Sequence, residues 1–432
     1  MDRIDILHRI AEEHGNDIFW SREGKLKKVL DASALTEKDR IAIIDICSFE
    51  RKLTKVILLE PDFSKTSEAQ GRLESKYGKP ITALKDVHTA IHNSDRTVND
   101  EGGELNDGRF VYSVVPARKQ CLHLVRTLSP AGYTVTVPDA VTIANKDYKI
   151  VSIADRCFEG NAAIESVILP STLETIGKNV FCNCSSLKKC ELPRHLKSIG
   201  DNAFAFTALE EVVFQDYLED VGTMAFYRCR SLKKVTVSKR TSQLGVGAFA
   251  GCESLEDIEV ADKNGRFVFE DGVLYSKKQD RIVQVLATFE GRLSPPRSLL
   301  TIEQYAADGC AGITELDLPV SLTSIGACAF RNCSGITKVK FPNTLTRIGE
   351  RAFEGCTSIR TMDVPASVRN FGKMAFSSCT GLETVEIKGA VKYSGLKVFE
   401  GCTGLNRVTV DKSSEFSPSD FPEGVRIKNT HA

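Results

Sequence analysis

The sequence predicts a solenoid of parallel β-strands joined by short helical turns, an α/β repeat fold, with a small α-helical domain in front of it. Three observations carry that prediction. A nine-residue phrase recurs at a spacing of 23 residues over more than half of the 432-residue chain. An apolar–polar alternation closes each recurrence, as in a half-buried strand. Both patterns are missing from residues 1–94, where apolar residues recur at helical spacing instead.

The phrase is seen in "IGACAFRNC" (325–333) and "IGERAFEGC" (348–356). Recurrences begin at Ile153, Ile176, Ile199, Val221, Leu244, Ile302, Ile325, Ile348, Phe371 and Ser394, with one step of 22 residues and one of 58. The step of 58 equals one repeat plus a 35-residue insertion. Self-similarity at a fixed period is the mark of a repeat architecture. Phe fills the sixth slot in nine of ten units, among them Phe181, Phe204, Phe226, Phe249, Phe330, Phe353, Phe376 and Phe399, with Ala307 as the exception. The phrase is long enough for one helical turn, and its glycine suits a tight turn. The following L-x-x-V-x-L, as in "LKKVTV" (232–237), reads as a strand. A proline often follows it, at Pro170, Pro193, Pro319, Pro342 and Pro365, and marks where the chain leaves the sheet. A 23-residue unit cannot bury its own Phe and Leu, so units stack, with strands about 4.8 Å apart.

The segments "LPSTLETIGKNVFCNCSSLKKCELP" and "FPNTLTRIGERAFEGCTSIRTMDVP" resemble the leucine-rich repeats of the bacterial surface-protein (BspA-like) type. The resemblance covers about residues 109–411, and its lead-in "YTVTVPDAVTIANKDYKIVSI" is similar to that family's opening strands. It implies a β-rich N-terminal cap over 109–152 and a leucine-rich-repeat solenoid of ten repeats over 153–411. A β-meander insertion occupies about 262–301, and a cap or tail 412–432. It also implies protein binding or adhesion as the role.

Cys closes the phrase in eight of ten units, at Cys184, Cys229, Cys252, Cys310, Cys333, Cys356, Cys379 and Cys402. Tetrahedral zinc needs four ligands converging at about 2.3 Å. A column of one thiol per layer does not supply them. Asn161 and Thr207 break the column, which speaks against a disulfide ladder. The expected role is that of a small buried filler. Free thiols in this number point to a reducing compartment.

Strand positions that alternate with the buried ones face outward: Lys189, Glu191, Glu211, Lys234, Asp257, Glu259, Glu315, Asp317, Lys338, Lys340, Asp363, Glu386 and Arg407. Along Lys189, Glu211, Lys234 and Asp257 the sign alternates, as cross-strand ion pairs require. These residues are the candidate binding surface for a protein or a glycan. No aromatic cluster on the strands marks a site within it.

Before the solenoid, Thr36 and Asp39 form a capping box ahead of Ile41, Ile44 and Cys47, and Pro80 precedes Ile81, Leu84, Val87 and Ile91. These predict a helical domain over 1–94. His88 and His92 share a helical face there but lack the HExxH glutamate of a zinc protease. The polar, Gly-rich 95–108 reads as a linker. Lys+Arg and Asp+Glu stand at 57 each, so nucleic acid is not an expected partner, nor is a membrane-spanning segment expected. No nucleotide loop, nucleophile elbow or acid–base pair is visible. The expected protein is a monomeric, non-enzymatic interaction scaffold without cofactor. The N-terminus lacks the pattern of a secretory signal, which with the thiols favours the cytoplasm. A secreted or surface adhesin is the alternative.

Overall fold

A computed structural model describes residues 104–430, apart from 108, 116–117, 129–133, 144–145, 392, 395–396 and 417–419. The expected helical domain and most of the expected linker lie outside the described residues. The described chain divides into two units, one of residues 104–130 and 140–151, the other of 131–139 and 152–430.

In the first unit, Glu104–Asn106, Phe110–Val114 and Cys121–Thr127 form an antiparallel meander. Ala140–Ile143 makes a hairpin with Lys146–Ile153. Glu104–Asn106, expected within the linker, is a strand because its backbone pairs with Val111–Ser113. Asp107 secures the turn that follows, accepting from the N–H groups of Arg109 and Phe110 and from the Tyr112 hydroxyl.

The second unit is the solenoid. First residues of successive phrases pair in parallel, except from Leu244 to Ile302. One ladder runs Ile153, Ile176, Ile199, Val221, Leu244, and another runs Ile282, Ile302, Ile325, Ile348, Phe371, Ser394. The L-x-x-V-x-L segments form the parallel strands expected of them, such as Lys234–Val237 between Glu211–Val213 and Asp257–Val260. The prolines end these strands in tight turns: the Pro319 carbonyl accepts from Leu322 N–H, and that of Pro342 from Leu345 N–H.

The expected helical turn is corrected. No α-helix occurs among the described residues, so the solenoid is all-β rather than α/β. The fourth and eighth residues of all ten phrases have positive φ, for example Asn179 (56°) and Asn183 (61°), Cys328 (53°) and Asn332 (59°). Left-handed residues spaced this way cannot continue a right-handed helix. They turn alternate N–H groups along the stack instead. Arg156, Phe158 and Gly160 donate to the carbonyls of Lys178, Val180 and Cys182 at 2.8, 3.0 and 2.7 Å. None of the twenty left-handed positions carries Val, Ile or Thr, whose branched Cβ tolerates that region least.

The phrase glycine also differs from expectation. Its φ is not left-handed; the need is for close approach of neighbouring coils. A Cβ on Gly349 would stand 2.5 Å from the Gly326 carbonyl carbon, and one on Gly200 2.6 Å from that of Gly177.

The insertion begins as a meander, Phe267–Glu270, Val273–Ser276 and Arg281–Val285, with Asp271 and Gly272 both left-handed at its first turn. It does not extend to 301. Residues 282–301 form a further coil: Ile282 pairs with Ile302, and Gly291–Leu293 runs parallel to Ile313–Asp317. This coil has 20 residues and neither the Phe nor the Cys of the phrase, which hides it from a 23-residue pattern. At the other end, Arg426–Thr430 pairs in parallel with Arg407–Asp411, so the expected tail supplies a last strand.

Candidate interaction surface

The Phe slots form the core. Rings of Phe158, Phe181, Phe204, Phe226 and Phe249 stack at centroid distances of 5.1–5.8 Å. Phe330, Phe353, Phe376, Phe399 and Phe421 stack at 5.3–5.6 Å. Ala307 lies between the two stacks in sequence.

The cysteine column does more than fill space. Each thiol reaches back one coil to a main-chain oxygen: Cys184 to Phe158, Cys229 to Phe204, Cys252 to Phe226, Cys356 to Phe330 and Cys379 to Phe353, all at 3.1 Å. Cys333 reaches Ala307 and Cys402 reaches Phe376, both at 3.0 Å. Cys310 faces the shorter coil and finds Leu286 O at 3.4 Å. Thr207, which breaks the column, uses its hydroxyl on Phe204 O at 2.9 Å and meets Cys229 Sγ at 3.2 Å. The thiol is thus a weak donor bridging coils. All thirteen described cysteines are free and buried. Burial pushes the thiols of Cys184, Cys190 and Cys310 up to about 12, and that of Cys333 well above its ordinary value. A thiol held protonated and out of solvent is a poor nucleophile. Among the described residues no group of three or more His, Cys, Asp or Glu could hold a metal ion.

The outward charges fall on four short sheets. Glu211, Lys234 and Asp257 lie directly opposite one another, and Lys234 reaches Glu259 at 3.1 Å and Asp257 at 3.7 Å. Lys338 meets Glu315 at 2.6 Å. These pairings raise the Lys234 ammonium and hold the Glu315 carboxyl below its usual range, chiefly through the hydrogen bonds to Glu259 and Lys338.

The alternation stops elsewhere. Lys189, with Glu191 just beyond its strand, belongs to the sheet of Thr134–Thr136 and Ser166–Ile168, so Lys189 is not across from Glu211. The 22-residue repeat between them shifts the chain by one residue. Asp317 faces Lys340 in register, yet its ion pair is with Arg292 of the added coil, at 2.5 Å. Asp363 lies opposite Glu386, a like-charge pair, and Lys388 approaches both at 3.9 and 4.0 Å. Arg407 lies opposite Thr384 on one side and Arg426 on the other.

An aromatic cluster does exist, on the turn face rather than on the strands. Phe206 (39% exposed) meets Tyr227 edge-on at 5.5 Å, and Tyr227 meets Tyr305 at 6.5 Å. Arg331 lies 5.5 Å from the Tyr305 ring centre, forks onto Asp308 at 2.8 and 2.6 Å, and comes within 3.5 Å of the Tyr227 hydroxyl. These residues sit at variable slots of the phrase, and Gly247 between Tyr227 and Tyr305 in the stack lets the rings approach. A cavity of about 660 Å³ adjoins the same break in the ladder, with Gly245 and Val246 on one side and Glu303 and Gln304 on the other. In it Arg281 pairs with Glu303 at 2.5 Å, and burial raises the Glu303 carboxyl. No described helix is long and apolar enough to cross a membrane.

The sequence profile described as "BspA type Leucine rich repeat region" matches in six copies over residues 151–271 and 300–422, more than half of the chain. The unmatched interval holds most of the meander and the shorter coil. The crystal structure of the pneumococcal vaccine antigen PcpA is similar with a TM-score of 0.61 at 21% identity, over 76% of this chain and 94% of that one. A leucine-rich repeat protein from Eubacterium ventriosum ATCC 27560 gives 0.52 at 20% identity, over 75% and 82%. No curated protein matches. At these identities the structural likenesses speak to fold, and the repeat profile to kinship. The chain belongs to the family of BspA-type leucine-rich repeat proteins.

Proposed function

We propose that this protein is a non-enzymatic binding protein displayed outside the cell, and that the outward faces of its sheets recognise a protein partner. Leucine-rich repeat proteins generally mediate protein interactions and are generally not enzymes. The observation that carries the reading is the ordered outward charge on stacked strands, Glu211–Lys234–Asp257 and Glu315–Lys338, fixed in register by the backbone. Side chains held this way present a polar pattern at little entropic cost on binding. The residues from Lys189 to Arg407 named above are the surface proposed to make the contact.

Display outside the cell takes the place of the cytoplasmic expectation. That expectation leaned on free thiols, and the described thiols are buried, which removes the need for a reducing compartment. A similar structure is that of a protein named as a vaccine antigen, and the family resemblance is to bacterial surface proteins. The test is protease shaving of intact cells, followed by capture of partners with the wild type and with Lys338→Glu/Lys340→Glu. Release from intact cells and loss of the captured protein by the variant are expected. Detection only after lysis overturns the surface reading, and unchanged capture overturns the assignment of the face.

A further inference from the structure

We propose that the turn face carries a second binding site, at the break in the phrase ladder, and that it takes a sugar bearing a carboxylate, as at the acidic end of a glycan. The site lies apart from the strand faces proposed for the protein partner. Three features lead to it.

The first is a gap in the turns. The eighth residue of a phrase gives its N–H to the next coil: Gly160 to Cys182 O at 2.7 Å, Arg228 to Ala250 O at 2.8 Å and Gly309 to Arg331 O at 2.7 Å. Gly251 holds that slot in the last phrase before the insertion, and its N–H has no acceptor among the described residues. Gly251 is half-buried, and Gly309, at the same slot beyond the insertion, is exposed. A Cβ on Gly309 would meet nothing within 4 Å. A main-chain donor therefore opens on a notch, and N–H groups of a left-handed turn are a seat for an anionic oxygen.

The second is a spare positive charge beside the notch. The Arg228 side chain passes over Gly251, its Cγ 2.8 Å from where a Cβ would stand, and its guanidinium lies 5.3 Å from the Tyr227 ring centre. Arg228 is exposed and has no acidic partner among the described residues. Glu253 is taken by Arg230, and Asp308 by Arg331. A guanidinium offers two parallel donors to a carboxylate.

The third is the aromatic corner. The exposed Phe206 meets Tyr227 at 90°, and Tyr227 meets Tyr305 at 65°. Arg331, matched by Asp308, holds both tyrosines in place. A planar base stacks best on a flat platform, whereas a puckered pyranose has C–H groups on several sides and fits a corner. Those C–H groups are drawn to the negative faces of the rings, and the hydroxyls at the sugar's rim stay in reach of water and Arg228. An extended peptide finds no ladder to join, because Phe206 and Arg228 already give their N–H groups to Tyr227 O and Ala250 O at 2.8 Å. One spare cation does not follow the phosphates of a nucleic acid.

The test uses the full chain and sialyllactose, with lactose as the sugar that lacks the carboxylate, in titration calorimetry. Sialyllactose is expected to bind about tenfold more tightly than lactose, and more weakly as salt rises. Arg228→Asn should bring it to the level of lactose, and Phe206→Gly should weaken it by about tenfold. Both variants place at the eighth slot a residue that it carries elsewhere, at Asn332 and Gly355, so the coils keep their fold. Lys338→Glu/Lys340→Glu should leave sugar binding unchanged, and Phe206→Gly should leave capture of the protein partner unchanged, so the two readings stand or fall separately. Absence of sialyllactose binding, equal binding of lactose, binding untouched by either variant, or equal binding of a glutamate-rich peptide or of single-stranded DNA each overturns the proposal.

Discussion

Two slots of the phrase, its glycine and its cysteine, have roles that only their neighbours explain. Gly349 cannot accept a methyl group without displacing the backbone of the coil before it. Gly349→Ala should therefore cost about 1–3 kcal/mol, the range of overpacked cores. Ser378 makes the opposite case: it is exposed, has φ of 57° and makes no side-chain hydrogen bond among the described residues, so Ser378→Gly should gain about 0.5–1 kcal/mol. Urea midpoints of both variants check the pair; a stabilised Gly349→Ala or a destabilised Ser378→Gly contradicts the register. The cysteines give a pH prediction. The folded-state values of Cys184, Cys190 and Cys310 are raised from 9.0 to about 12 by burial, so the folded chain keeps protons there that the unfolded chain releases first. Stability from these thiols is whole below about pH 9 and is lost as the pH climbs towards about 12. The melting temperature should fall across that interval, less steeply in Cys310→Ala. At neutral pH a thiol reagent should leave the thirteen described cysteines unlabelled in the native protein and reach them in denaturant.

Among the elements, the junction at the insertion is where the stack depends on side chains. The phrase ladder ends at Leu244 and restarts with Ile282, and between them the meander replaces a coil. Arg331, Asp308, Tyr305 and Tyr227 reach across this break from residues more than a hundred apart in sequence. Asp308 and Arg331 are only 6% and 17% exposed at their side chains. Arg331→Met strands the carboxylate, and breaking one partner of a buried pair costs about 3–5 kcal/mol. In a stack held by nearest-neighbour contacts, weakening one junction should also divide urea unfolding into two steps, followed by circular dichroism. Arg230→Met, which removes an exposed pair with Glu253, should change stability by less than about 1 kcal/mol and leave unfolding undivided.

For the whole molecule, stability is the sum of coils and their interfaces, and position along the stack sets the cost of a defect. Phe353 is fully buried between Phe330 and Phe376, so Phe353→Ala should cost about 3–5 kcal/mol. Phe421 is the last described ring of the stack, against Phe399 with Phe416 beside it, and Phe421→Ala should cost less and loosen only the neighbouring coils, as hydrogen exchange would show. The sequence by itself determined the period, the phrase register, the parallel strands, the Phe core and the meander turn at Asp271–Gly272. Each of these repeats or obeys local turn chemistry, and the same residue type recurs at the same slot. It also named the outward charges, because alternation along a strand is local. Only the tertiary structure decided that the turns are left-handed rather than helical, that 282–301 is a coil, and that the glycines serve close approach. It alone placed the aromatic cluster on the turn face and the like charges opposite each other at Asp363–Glu386 and Arg407–Arg426. These features arise between coils, from which residue falls across from which, and a chain read one repeat at a time does not contain that relation.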